Sequence, residues 1–147
     1  MQYSQIETEN RYDSEFFKKE FIQTIDQFLK TKTHELIGDT HKVTDGEHGS
    51  VVLQEDGIKY LTAENIKKGY VDTSSVRYVN EEVDKRNARA RVNVGDLLVS
   101  IKGTLGEVAV AEEWLLPANM NRDVAVVKPL DKSLTSEYLT IFMMTKY

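Results

Sequence analysis

The 147-residue chain is long enough for one domain with a hydrophobic core and too short for two domains of ordinary size. Its composition of 40% hydrophobic and 29% charged residues is that of a globular protein, and no apolar run approaches the roughly 20 residues that a membrane-spanning helix needs. The absence of cysteine excludes disulfides, thiolate metal sites and cysteine nucleophiles. The first residues show no secretion signal, so we expect a cytoplasmic protein without membrane contact.

The formal net charge of -5 has the wrong overall sign for a nucleic-acid binder. The acidic excess lies at the two ends, since residues 1–39 hold five lysines and arginines against eight acidic residues, and residues 103–147 hold four against six. Residues 40–102 are balanced, with ten of each. Net charge therefore neither supports nor excludes DNA as a partner.

The first predicted element is a helix from Ser14 to about Lys32, capped by Asp13 or Ser14 and free of glycine and proline. Apolar residues recur within it at helical spacing and form one stripe: Phe16, Phe17, Phe21, Ile25, Phe28 and Leu29. Such a face must be buried. We expect it to pack on its own domain, with packing on a missing neighbour as the alternative.

After residue 38, short β-favouring segments alternate with turn residues. Strands are predicted at about residues 40–44, 50–53, 58–62, 76–79, 97–101, 107–111 and 122–128. One helix is predicted between Asn80 and Arg91, with Asn80 as its cap, and another from about residue 133 or 136 to the end.

Residues 94–106, V-G-D-L-L-V-S-I-K-G-T-L-G, open a predicted hairpin. Two apolar runs flank a glycine-bearing turn that carries Lys102 and Thr104. Polar side chains in such a turn can point away from the sheet, which makes it a plausible presentation loop on a rigid scaffold.

Sequence patterns typical of enzymes are weak in this chain. Four residues of metal-ligating type lie within eight positions: His41, Asp45, Glu47 and His48. Their segment is rich in turn residues and matches no metal motif, so we favour a polar loop. No phosphate loop, nucleophile elbow or catalytic triad is recognisable. We therefore predict no catalytic residue, no metal and no cofactor.

Two polar segments are compatible with DNA contact. Four basic residues share the predicted helix between Asn80 and Arg91: Lys85, Arg86, Arg89 and Arg91. Phosphate contact is one interpretation, and a solvated helix surface partly paired with Glu81 and Glu82 is equally favoured. Residues 118–123 hold two asparagines and an arginine, which can bond adenine and guanine edges, although asparagine also favours turns.

Several short motifs, in the right order, resemble the target recognition domain of type I restriction–modification specificity subunits, a domain also found fused to DNA adenine methyltransferases. Residues 12–17 resemble the D-x-E-Y-F start of that domain's N-terminal helix, and residues 43–49 resemble its D-G-x-H loop. Residues 57–69 are similar to G-I-P-Y-L…N-I…G, with Lys59 in place of the usual proline, and residues 95–106 are similar to G-D-x-L-x-S…G-T-x-G. Residues 119–122 and 138–139 complete the order.

The resemblance implies a mixed α/β (α+β) fold, in which an N-terminal helix precedes a twisted, largely antiparallel β-sheet domain with short helices. Residues 1–32 would form the helix and pack on the recognition domain, residues 33–147, which we expect to be truncated at its C-terminus. The function implied is a non-catalytic specificity component that reads part of a double-stranded DNA target through the major groove. It would direct an adenine methyltransferase, as a separate modification subunit or a fused domain, and a restriction subunit to that target.

The resemblance also implies site residues. Base readers are expected in loops, at Glu47, His48, Ser50, Lys102, Thr104, Asn119, Asn121 and Arg122. Phosphate contacts are expected from Asn65, Lys67, Lys68, Lys85, Arg86, Arg89 and Arg91. The main alternative is a protein-interaction module whose phenylalanine-rich helix docks on a partner without nucleic acid. A small metal nuclease built on Asp96, Glu107 and Lys102 is a more distant one.

Overall fold

A computed structural model describes residues 19–31, 36–130 and 135–145, which fall into two compact units, Met1–Leu36 and Ile37–Tyr147. In the first unit, helix α1 spans Lys19–Lys30. The predicted start of this helix at Ser14 lies outside the described residues. Its packing on the second unit stays a prediction.

The second unit contains nine short strands and three helices among its described residues. The strands are β1 (His41–Asp45), β2 (Ile58–Leu61), β3 (Ile66–Lys67), β4 (Tyr70–Val71), β5 (Arg77–Val79), β6 (Leu97–Ser100), β7 (Val108–Val110), β8 (Ala118–Met120) and β9 (Val124–Pro129). The helices are α2 (Ile37–Thr40), α3 (Glu81–Arg86) and α4 (Ser136–Met144), and 3₁₀ turns occur at Ala63–Asn65, Ala88–Ala90 and Glu113–Leu115. No helix of the described segments is long and apolar enough to cross a membrane.

Four strands form an antiparallel sheet in the order β1-β9-β6-β7. Its register brings the last residue of β1, Asp45, opposite Ala125, and the last residue of β6, Ser100, opposite Val124. The ends of β1 and β6 and the starts of β7 and β9 therefore lie at one end of this sheet. Every loop that leaves this end is supported by paired strands.

Two smaller sheets complete the unit. In the first, β2 pairs with β5 in antiparallel fashion and with β8 in parallel fashion. In the second, β3 and β4 pair with each other. A short turn at residues 121–123 connects β8 to β9, and thereby links the three-stranded sheet to the loop-bearing end of the four-stranded sheet.

The core explains why β6 and β9 consist of continuous apolar runs. Alternate side chains of a strand point to opposite faces, so an unbroken apolar run requires burial on both faces. On one face, Leu98 and Val126 belong to a cluster with Met120 of the three-stranded sheet. On the other face, Leu97 clusters with Leu139 of α4. The four-stranded sheet is thus held between two apolar layers.

The predicted fold class is confirmed, and most predicted strands are present within one or two residues. The β6–β7 hairpin is present, and Asn80 caps α3 by accepting a 3.0 Å hydrogen bond from the Val83 amide. The strand predicted at residues 50–53 is wrong, because those residues pair with nothing and Val52 is exposed. The segment at residues 118–120, expected to be a loop, is strand β8.

Because Leu98 lies at the centre of the core, Leu98→Ala is expected to lower the free energy of unfolding by about 2–5 kcal/mol. Val43→Ala, at an exposed position of β1, is a control expected to change it by less than about 1 kcal/mol. Denaturant unfolding of the purified protein measures both. Equal effects of the two substitutions would contradict the assignment of the core.

Candidate nucleic-acid interface

Three loops meet at the same end of the four-stranded sheet: residues 46–50 after β1, residues 101–106 between β6 and β7, and residues 121–123 between β8 and β9. The Glu47 amide donates to the Met120 carbonyl (3.0 Å), and the Arg122 amide donates to the Glu47 carbonyl (3.1 Å). The Ile101 amide donates to the carbonyl of Asp123 at 3.0 Å. Backbone hydrogen bonds therefore join the three loops into one surface, here called the three-loop surface.

The first loop depends on a close approach at Gly46. A Cβ atom at this position would lie 2.1 Å from the Met120 carbonyl oxygen and 2.3 Å from that of Asn121. Real Cβ atoms do not approach backbone oxygens so closely. Glycine is therefore required here for Glu47 to pair with the turn that follows β8.

The side chain of Glu47 organises the loop from within. Its carboxylate accepts a 2.7 Å hydrogen bond from the Gly49 amide and lies 3.1 Å from Nε of Arg86. The bond from Gly49 and the charge of Arg86 lower the pKa of Glu47 against the opposing effect of burial. Because only 13% of this side chain is exposed, Glu47 shapes the loop more than it presents a free carboxylate.

His48 and Ser50 are exposed on the first loop. Nε2 of His48 contacts Oδ2 of Asp45, and that hydrogen bond is the largest cause of a lowered pKa of Asp45. The charge of Arg89 also lowers this pKa. His48 is therefore anchored at its ring and remains largely open to solvent.

The second loop, residues 101–106, projects from the hairpin and is exposed along its length. Positive φ angles of 77° and 79° at Gly103 and Gly106 permit the turn, and the Ser100 hydroxyl donates to the Thr104 carbonyl. Lys102 and Thr104 thus stand in solvent, as the sequence predicted for a presentation loop.

The third loop is a tight turn stabilised by its own side chains. Oδ1 of Asn121 accepts from the Asp123 amide (3.0 Å), while its Nδ2 donates to Oδ2 of Asp123 (2.9 Å). The Arg122 side chain is exposed, and its Nε lies 3.8 Å from Oδ1 of Asp123. Nζ of Lys102 lies 3.7 Å from the same oxygen, which brings the second and third loops together.

Two predicted contact residues are buried, which corrects their assignment. Asn119 is 0% exposed in β8, and its Nδ2 donates to Oδ1 of Asp84 at 2.9 Å. Asn65 is also buried, and its side chain caps a turn by accepting from the Thr62 amide at 2.9 Å. A side chain enclosed in this way is not available to a base or a phosphate.

Asn119 belongs to a buried polar network that connects β8 to α3. Its Oδ1 accepts from Nδ2 of Asn87 (2.9 Å), and Asp84 accepts from Nε of Arg91 (2.7 Å). Burial acts to raise the pKa of Asp84, but hydrogen bonds from Arg91 and Asn119 and the charge of Arg91 outweigh it, and the pKa is lowered. The network therefore holds an ionised carboxylate close to the core.

All four predicted phosphate contacts around α3 are ion-paired. Lys85 pairs with Glu81 (2.8 Å), Arg86 with Glu47 (3.1 Å), Arg89 with Asp45 (3.3 Å) and Arg91 with Asp84 (2.6 Å). The Arg86–Glu47 pair joins α3 to the first loop, and the Arg89–Asp45 pair joins the following 3₁₀ turn to the end of β1, where that loop begins. Pairing with Glu81 is predicted by the sequence, whereas the ion pairs with residues distant in sequence are not.

Lys67 and Lys68 lie in and after β3, away from the acidic partners of α3. The Gly69 amide donates to the Val108 carbonyl at 2.8 Å, which places this turn beside the start of β7. Neither lysine forms an ion pair with the residues that the structure describes. Of the predicted basic phosphate contacts, they are therefore the two without an ion pair to a described residue, although the charge of Lys67 is among the causes that lower the pKa of Asp72.

Two residues were not predicted from the sequence, one on the three-loop surface and one buried near it. Asp123 lies between Lys102 and Arg122, and its proximity to Asn121 in an Asn-x-Asp turn was the available signal. Tyr60 is buried in β2, where burial and the charges of Glu47 and Asp123 raise its pKa to about 12. Its hydroxyl therefore stays protonated near the carboxylates of this surface.

The geometry provides no metal centre within the described ranges, where no group of three histidine, aspartate or glutamate residues converges. His41 is almost completely buried, and its Nδ1 lies 2.8 Å from the Thr40 hydroxyl, apart from Glu47 and His48. What the surface offers is exposed donors and acceptors on rigid supports.

Comparisons with known proteins bear on the relatives and the fold of this chain. No family model matches the sequence. The chain is 30% identical over 89 residues to the type I restriction enzyme EcoBI specificity subunit of Escherichia coli. The predicted resemblance is confirmed. The match covers 60% of this chain and 19% of that relative, so it spans about a fifth of the relative's length.

Solved structures show the same fold. The HsdS subunit from Thermoanaerobacter tengcongensis superposes with a TM-score of 0.52 at 15% identity, over 83% of this chain and 34% of that one. A chain from a structure of type I R-M complex assembly and conformational transition gives 0.50 at 15% identity, over 95% of this chain and 35% of that one. The mixed α/β architecture is therefore that of a part of each of these two solved chains.

Substitution Gly46→Ala is expected to lower the free energy of unfolding by about 1–3 kcal/mol, because the added methyl group meets backbone oxygens that are fixed by strand pairing. Gly38→Ala is the matched control, since a Cβ there meets nothing within 4 Å. It should be neutral or slightly stabilising. Denaturant unfolding that shifts equally for both variants would show that the close approach at Gly46 is not required.

The lowered pKa of Asp84 predicts a pH dependence of stability. A carboxyl whose folded pKa lies below its ordinary value of 3.8 contributes stability above that value and loses it as pH falls through the folded pKa. Asp84→Asn should therefore be destabilising by about 1–3 kcal/mol at pH 7, with a smaller difference from wild type below pH ~4. Urea unfolding at several pH values measures this, and a difference that is independent of pH would contradict it.

Proposed function

We propose that this chain is a DNA target recognition component of a restriction–modification system, and that the three-loop surface reads part of a double-stranded target through the major groove. The main support for this proposal is the convergence of three polar loops at one end of a sheet that is packed on both faces. The chain is also similar to a named specificity subunit. A rigid sheet positions loop side chains well enough to distinguish base edges, which requires placement within about half an ångström.

The proposed base readers are the exposed or half-exposed members of the predicted set. They are His48, Ser50, Lys102, Thr104, Asn121 and Arg122. Glu47 contributes by shaping the first loop, and Asn119 by fixing the strand that precedes the third. Asn121 can offer only part of its amide, because both ends already bond Asp123.

Phosphate contact is proposed for Lys67 and Lys68, and secondarily for Arg86 and Arg89 where they border the three-loop surface. Paired arginines attract phosphate less strongly than unpaired ones, since a neighbouring carboxylate cancels part of their charge. The chain's own phosphate neutralisation is therefore modest, and partner proteins would supply the rest.

The component is proposed to be non-catalytic and to act in the cytoplasm on cellular DNA. Methylation of adenine would be performed by a modification subunit or a fused methyltransferase domain, and cleavage by a restriction subunit. This division of roles is supported by the similarity of the chain to a protein named as a specificity subunit. The protein-interaction alternative has no comparable support.

Deletion of the gene in the source cell tests the proposal. Methylation at one defined adenine-containing motif is expected to disappear and to return when the wild-type gene is restored. Single-molecule sequencing of genomic DNA measures this genome-wide. Expression of the protein and its methyltransferase must be verified in the parent cells. If the parent cells contain both proteins and deletion leaves the methylome unchanged, the recognition role is refuted.

A further inference from the structure

Two exposed cations from different loops share one carboxylate oxygen on the three-loop surface. Nζ of Lys102 lies 3.7 Å, and Nε of Arg122 lies 3.8 Å, from Oδ1 of Asp123. The two nitrogens are therefore at most about 7.5 Å apart, while their chains enter from the β6–β7 loop and the β8–β9 turn. With a rise of about 3.4 Å per base pair, this separation spans roughly two base-pair steps.

The Asp123 carboxylate is itself fixed. Its Oδ2 accepts from Nδ2 of Asn121, and its backbone amide donates to Oδ1 of the same asparagine. Its Oδ1 is buried and accepts no hydrogen bond from the described residues. The oxygen thus faces both cations with its charge uncancelled by any hydrogen bond, at distances beyond normal hydrogen-bond length.

This geometry leaves the donors of the two cations available. Neither Nζ of Lys102 nor the guanidinium of Arg122 donates a hydrogen bond to a residue of the described segments, and both side chains are more than half exposed. Lysine and arginine donors of this kind match the O6 and N7 acceptors of guanine in the major groove.

The shared carboxylate favours a base edge over a phosphate. Its negative charge, at less than 4 Å from each cation, repels an approaching phosphate and cancels part of the attraction. A guanine edge is a neutral acceptor and is much less affected by that charge. The same carboxylate attracts both cations and keeps them near each other, which reduces the entropy lost on binding.

We propose that Arg122 and Lys102 read guanines separated by no more than about two base-pair steps, and that Asp123 is the positioning residue that holds the pair. This inference rests on the proposed function, which it deepens by assigning a base class and a spacing to one part of the target. Asp123 acts through the two cations and does not itself contact DNA.

The test uses the full gene in the source cell, replaced in turn by Arg122→Ala, Lys102→Ala and Asp123→Asn, with sequencing of the methylome. Asp123→Asn removes the charge and keeps an oxygen that can accept from Asn121. Lys42→Ala, on an exposed residue of β1 paired with Lys128, is the matched control. Thermal unfolding of each purified full-length protein accompanies the methylomes.

We expect Arg122→Ala and Lys102→Ala each to relax discrimination at one guanine of the motif, by about tenfold or more, with the two positions no more than two steps apart. Asp123→Asn is expected to relax both positions together while the melting temperature stays near that of wild type. Lys42→Ala should leave the motif unchanged. A purely structural role of Asp123 would lower the melting temperature and the methylation level without changing base preference.

Three results would overturn the inference and leave the proposed function intact. The first is a methylated motif that has no guanines at that spacing. The second is a uniform loss of methylation in the Arg122 and Lys102 variants while the motif stays unchanged. The third is a motif in the Asp123→Asn variant that is identical to that of wild type. A uniform loss would identify the cations as phosphate contacts. If no motif depends on the wild-type gene, the proposed function itself fails.

Discussion

The three-loop surface depends on the contact between the loop after β1 and the turn after β8. At this point two backbones approach so closely that only glycine fits at position 46, and the Glu47 backbone then bonds on both sides, to Met120 and to Arg122. This contact joins the four-stranded sheet to the three-stranded sheet. Without it, the first and third loops would be independent surface segments, and their side chains would have no fixed relation.

A second constraint acts beneath the surface. The buried amide of Asn119 joins β8 to α3 through Asn87 and Asp84, and Arg91 neutralises the carboxylate at the outer end. Buried polar groups that are fully paired hold one arrangement, because any shift leaves a donor or acceptor unsatisfied. The position of β8 therefore fixes the turn that follows, and with it Arg122. The geometry of the three-loop surface is therefore supported by a polar network that lies mostly beneath it.

Local patterns predicted those parts of the fold that local forces determine. The β6–β7 hairpin follows from two apolar runs around glycines with positive φ, and the cap of α3 follows from Asn80 alone. Strand β8 has only three residues with an asparagine at its centre, and it pairs with β2 more than fifty residues away. Secondary-structure propensity predicts a loop for such a segment. The burial of its asparagine is explained by the hydrogen bonds with Asp84 and Asn87, which are distant in sequence.

In the candidate site, too, local features could be predicted from the sequence and long-range contacts could not. The resemblance pointed to three loops that the structure brings together, but the sequence could not distinguish the buried Asn119 from the exposed Arg122, since both stand in the six-residue segment 118–123. The partners of Arg86 and Arg89 also escaped prediction, because Glu47 and Asp45 are about forty residues away in the chain. Contacts of this kind are set by the assembled sheet and not by spacing.

The ion pairs also explain how a chain of net charge -5 can serve DNA recognition as proposed. Non-specific binding depends on cations that displace counterions from phosphate, and a cation already paired with a carboxylate displaces fewer. Hydrogen bonds to base edges do not require net positive charge. The ion pairs therefore weaken binding to non-specific DNA more than binding to a matched site. In a genome, non-specific sites outnumber targets by a factor of about a million or more. A surface whose cations are partly neutralised therefore binds DNA less tightly, but it distinguishes the target better from non-specific sites.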